Sequence, residues 1–137
     1  MRFLILAFAL TAIACAKEEP AATGLAPGTY TGASRDALCI AGTAGAQRAG
    51  FIVYGAEDTN CVASGRVEPA GPAWNLIPTG DADCKIPLSV NAAQIEIGPG
   101  TQACNYYCGP GVAFAGKSFQ RSPDARPPAD LAGDPLC

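Results

Sequence analysis

The chain contains no histidine among its 137 residues. That removes Ser-His-Asp and Cys-His nucleophilic catalysis, and with them the side chain that most often ligates transition metals. Charge is sparse too: 9 Lys and Arg against 12 Asp and Glu give a formal net charge of -3, with no basic stripe. A protein that cannot neutralise a row of phosphates is not built for nucleic acid, which is excluded as a partner. Long helices are excluded by 16 Gly and 12 Pro, since both residue types interrupt them. Aromatic residues make up only 7% of the chain, so the core is modest and would gain from covalent staples. Beyond the first residues, no apolar run approaches the roughly 20 residues of a membrane-spanning helix.

What the chain does have begins at its N-terminus. Arg2 precedes the apolar run Phe3 to Leu10, and the small residues Ala12-Ile13-Ala14 lead into Cys15. One charge, a short apolar stretch and a small-residue cleavage site form an export signal. The segment resembles a bacterial lipoprotein precursor, with Ala12-Ile13-Ala14-Cys15 as its lipobox. The resemblance implies cleavage before Cys15 and lipid modification (palmitate among the acyl chains) of that cysteine. Ala16 directly after it implies sorting to the outer membrane, facing the periplasm. An ordinary secretory cleavage fits the small-x-small rule as well. Cysteine parity favours the lipoprotein: the chain has 7 Cys, and a lipid on Cys15 leaves Cys39, Cys61, Cys84, Cys104, Cys108 and Cys137 to pair in an oxidising compartment.

The expected organisation is a signal peptide over 1–14, a flexible lipid-anchored tether over 15–26 and a disulfide-rich β domain over 27–121. A Pro- and Asp-rich tail over 122–137 would follow, pinned back by Cys137. The tether segment is small, charged and punctuated by Pro and Gly, with little to bury. Strand signals fill the domain: Pro27–Gly32, Gln47–Tyr54, Cys61–Glu68, Trp74–Ile77, a hairpin around Asn91-Ala92-Ala93, and Lys117–Arg121. Around that hairpin Ile86, Leu88 and Val90 alternate with Lys85, Pro87, Ser89 and Asn91, and Ile95 and Ile97 continue the pattern. Pro87 lacks an N–H and suggests an edge strand or a bulge. Val112 to Ala115 suggests one helical turn. Six or seven short strands with frequent turns give an all-β antiparallel meander that closes into a barrel or sandwich.

Six cysteines allow 15 pairings. Hairpin geometry suggests Cys61 with Cys84, leaving Cys39 to take Cys104 or Cys108 and Cys137 the other. Cys104-x-x-x-Cys108 has neither zinc-ribbon nor C-x-x-C spacing and reads as two halves of structural disulfides. Asp81, Asp83, Glu57 and Asp58 are turn carboxylates, or the residues of a histidine-independent enzyme if they converge in a cleft. Tyr106 and Tyr107, in a rigid cysteine-held loop, are candidates for a recognition patch. Nothing calls for a cofactor, a metal or a catalytic set. Ala63-Ser64-Gly65-Arg66, Trp74 and Gly80-Asp81 resemble the small β-barrel inhibitors of C-type lysozyme, many of them bacterial lipoproteins. That resemblance implies that Ser64 and Arg66 reach into the lysozyme cleft. The function expected from sequence is a non-enzymatic, lipid-anchored envelope module that binds a periplasmic protein or glycan. Replacing Cys15 with Ser should move the protein from the membrane to the soluble fraction; unchanged membrane association would refute lipidation.

Overall fold

The computed structural model describes residues 24–137, so the signal segment, the lipobox, Cys15 and most of the tether lie outside the described residues. Eight strands follow one another: β1 (Gly28–Thr31), β2 (Ala37–Ala41), β3 (Arg48–Tyr54), β4 (Asn60–Ala70), β5 (Ala73–Pro78), β6 (Ile86–Asn91), β7 (Gln94–Ile97) and β8 (Ser118–Arg121). Each pairs antiparallel with its sequence neighbours, and β8 returns to β1, so the meander closes into a barrel.

Alternation in the sequence becomes inside and outside. Leu38 pairs with Phe51 and Phe51 with Ala63, while Leu76 pairs with Ile86 and Leu88 with Ile97. All of these side chains are buried in one core. Side chains on directly opposed residues share a face, so a two-residue period on one strand fixes that of the next. Burial at roughly 25 cal/mol per Å² of apolar area makes this core the main favourable term.

Several expectations need correcting. Strand β2 escapes the strand signals, because Ala37-Leu38-Cys39-Ile40-Ala41 is apolar on both faces and shows no alternation. Val90 is on the inner face opposite Ile95, yet it is 50% exposed. The barrel is open at that level. Pro87 lies on no edge, since β6 pairs on both sides. Its carbonyl accepts from the Gly98 N–H at 2.8 Å, and its missing N–H faces β7 just beyond the first ladder pair, Leu88 with Ile97. Val112 to Ala115 is irregular, whereas Gln102–Tyr107 forms a 3₁₀ helix. Leu25 is buried, so the chain is fixed to the domain before residue 27.

The disulfides are Cys39–Cys137, Cys61–Cys108 and Cys84–Cys104. The expected Cys61–Cys84 bond fails because β4 is 11 residues long and β5 pairs only with its second half. Pro78 ends β5 opposite Gly65, well short of Cys61. Cys104 and Cys108 instead bring the 3₁₀ helix down onto that end of the barrel.

Cys137 carries the tail back across the outside of β2 and β3, where Leu136 packs with Cys39 and Ile52 in a second small core. Gly50 permits this, since a Cβ there would collide with the backbone carbonyl of Leu136. The Cys39–Cys137 bond spans 98 residues, so its loss frees a long loop in the unfolded chain. The Cys39→Ser/Cys137→Ser variant should lose about 2–5 kcal/mol in urea titrations while keeping the barrel; no change in the unfolding midpoint would show the tail to be a bystander.

Candidate functional site

The two ends of the barrel are built differently. At one end the 3₁₀ helix is held by Cys84–Cys104 and Cys61–Cys108, and Phe114 enters the core with its ring 5.5 Å from that of Phe51. Asp81 organises the adjoining loop. Its Oδ1 accepts from the backbone N–H groups of Asp83 and Cys84, both at 3.2 Å, and its Oδ2 accepts from the Tyr107 hydroxyl at 3.1 Å. That end is closed.

The other end is a mouth formed by the β2–β3, β4–β5 and β6–β7 turns and the segment entering β1. Leu25 covers part of it and joins the core. Its seat is a two-bond clamp from buried Gln47: Nε2 donates to the Leu25 carbonyl at 2.6 Å, and Oε1 accepts from the Leu25 N–H at 2.9 Å. An amide side chain here stands in for a missing strand partner and satisfies both backbone groups.

On the β5–β8 side the mouth stays open above a cavity of about 320 Å³, floored and walled by Tyr30, Trp74, Val90 and Ile95, with Gln94 and Arg121 at its rim. The strand register explains this group. Trp74 opposes Leu88, Val90 opposes Ile95, and Tyr30 opposes Arg121, so each lies on the inner face at the last rung before the opening. Arg121 is the charged residue of the lining. It sits two residues beyond buried Phe119, which sets it on the inner face where an uncharged residue is usual.

Arg121 Nη2 donates to the Pro27 carbonyl at 2.9 Å, and among the described residues no carboxylate pairs with it. Gly28, at φ 147°, makes room: a Cβ there would stand 3.1 Å from Arg121 Nε. The Tyr30 hydroxyl donates to the Ala26 carbonyl at 2.6 Å. Burial pushes the Tyr30 phenol above its usual range, and the positive Arg121 partly offsets that.

The candidate residues read from sequence lie elsewhere. Ser64 and Arg66 are on the outer wall, within β4, and not on a projecting loop. Ser64 opposes Gly50, and Arg66 opposes Arg48 while its Nε donates to Glu68 at 2.6 Å. Tyr106 and Tyr107 belong to the closed end. Tyr106 is 86% exposed and stands edge-on to Tyr107 at 5.4 Å. Burial, then the Asp81 carboxylate it donates to, raise the Tyr107 phenol. Glu57 and Asp58 are exposed in the 3₁₀ turn Ala56–Asp58, where Asp58 pairs with Arg35 at 2.9 Å. Among the described residues no three His, Cys, Asp or Glu side chains converge to hold a metal ion.

The mouth residues escape sequence reasoning because Tyr30 and Arg121 meet only on barrel closure. The available signal is the period-two step from Phe119 to Arg121. No family model, no curated protein and no solved structure matches the chain.

A phenol held protonated in the fold contributes stability that is intact below its ordinary value of 10.0 and is lost as pH rises through the raised one. Tyr30→Phe should therefore flatten the loss of stability above about pH 10. Losing the bond to Ala26 should cost about 1 kcal/mol at neutral pH. Urea midpoints measured from pH 7 to 11 check both, and an unchanged alkaline slope counts against the assignment.

Proposed function

We propose that the chain is a non-enzymatic binding module held to the bacterial envelope by a lipid on Cys15, and that the open mouth of its barrel is the binding end. The observation that carries this is the mouth cavity itself. Eight-stranded barrels are just wide enough either to be filled by side chains or to hold one small ligand. Here the interior is filled below by Phe51, Phe119 and their neighbours and left vacant above Ile95. Convergent apolar walls with a few polar groups at the rim are the ordinary form of a small-molecule site.

The apolar lining suits a small apolar molecule better than the protein or glycan expected from sequence. Absence of histidine supports the non-enzymatic reading, as does the use of Asp81 to hold its own turn. The lysozyme-inhibitor reading draws nothing from Ser64 and Arg66, which lie within a strand of the barrel wall.

The anchor and the mouth are neighbours in the chain. Cys15 precedes Gly24, on the cavity rim, by nine residues, which span at most about 30 Å. A lipid on Cys15 therefore keeps the mouth within that distance of the bilayer, on the periplasmic side of the outer membrane. Trp74, the single tryptophan of the chain, lines the cavity and reports its occupation. Titration with the neutral dye Nile red should quench Trp74 by energy transfer. Val90→Glu, a change at a half-exposed position, should weaken that binding at least about tenfold by placing a charge on an apolar wall. Dye binding without a response from Trp74, or insensitive to Val90→Glu, would move the site away from the mouth.

A further inference from the structure

We infer that the mouth selects a single-chain anionic amphiphile, with its carboxylate on the Arg121 guanidinium and its hydrocarbon chain against Trp74, Val90 and Ile95; this rests on the mouth being the binding end. The argument is one of charge and shape. Below the rim the walls offer hydrocarbon and aromatic surface, which rewards an apolar chain and penalises a polar one. At the rim stands one cation, with no carboxylate in the lining to oppose it.

Guanidinium has five N–H donors arranged to meet a carboxylate side-on, and the fold uses Nη2 of Arg121 for Pro27. The Tyr30 hydroxyl, already donating to the Ala26 carbonyl, is a neutral neighbour for the same head group. Size limits what the mouth encloses. A cavity of about 320 Å³ accommodates on the order of ten methylenes, at about 30 Å³ for each water-sized group. That is room to enclose one short acyl chain.

The test uses the mature protein and reads Trp74 fluorescence during titration with decanoate, decanol and decylamine below their aggregation concentrations. Decanoate should bind saturably, with decanol about tenfold weaker and decylamine weaker still. Arg121→Gln should weaken decanoate about tenfold and leave decanol unchanged, and the retained decanol affinity shows that the variant is folded. Decanol binding as tightly as decanoate, or decanoate insensitive to Arg121→Gln, overturns the anionic assignment while the mouth reading stands. Nile red binding at the mouth without decanoate binding has the same meaning. Failure of Nile red and all three decyl compounds to perturb Trp74 overturns both readings together.

Discussion

The structure depends on the seam between β1 and β8. Without it the eight strands form an open curved sheet with two exposed edges, and there is neither an interior nor a mouth. The seam is short: its ladder consists of Tyr30 opposite Arg121 and Thr31 opposite Gln120. Other contacts extend it in both directions. The Ser122 N–H donates to the Thr29 carbonyl at 2.9 Å, and Arg121 reaches Pro27 from the β8 side. At the opposite end Lys117, just before β8, lies 3.7 Å from buried Asp36, just before β2. The tail then does covalently what the ladder does weakly. It leaves β8 and is bonded through Cys137 to Cys39 on β2, so a covalent path joins the strands on either side of β1.

The other two disulfides act at one end only. Cys61–Cys108 and Cys84–Cys104 hold the 3₁₀ helix over the closed end, whereas the mouth is held by hydrogen bonds from Gln47, Tyr30 and Arg121 to the entering segment. Net hydrogen bonds contribute about 1 kcal/mol each, against about 2–4 kcal/mol for a disulfide. The mouth is therefore the end with the weaker restraints.

How far the sequence discloses this follows from the range of the interactions. Alternation along β6 and β7 is local, and by itself it marks Ile86, Leu88, Ile95 and Ile97 as inward. The same alternation puts Val90 on the right face and misjudges its burial, because periodicity says nothing about where a barrel ends. β2 is hidden for a non-local reason: its outer residue Cys39 is covered by a tail about a hundred residues away, so both faces of the strand are apolar. Disulfide pairing depends on how far β4 runs on past the end of β5: the two-residue turn after Ala70 fixes the register, but β5 stops at Pro78 opposite Gly65, and no local signal tells how much of β4 lies beyond it. Tyr30 and Arg121 are separated by most of the chain, and only closure makes them neighbours.

Buried polar groups show what the fold itself needs. Asp36 and Gln47 are the buried polar residues among those described, and each is fully engaged in holding one end of the barrel. Asp36 accepts from the Tyr54 N–H at 2.9 Å and faces Lys117, while Gln47 clamps Leu25. A buried polar side chain that satisfies backbone groups in this way repays its desolvation by fixing register. Arg121 differs from both. It is an exposed charge at the open rung, on the inward-facing side of β8, and a single bond to Pro27 accounts for its part in the architecture. A neutral donor would close that bond equally well, so the seam explains a hydrogen-bonding residue at this position but not a charged one. Under the proposed binding role, that charge is the group left to meet a molecule entering the mouth.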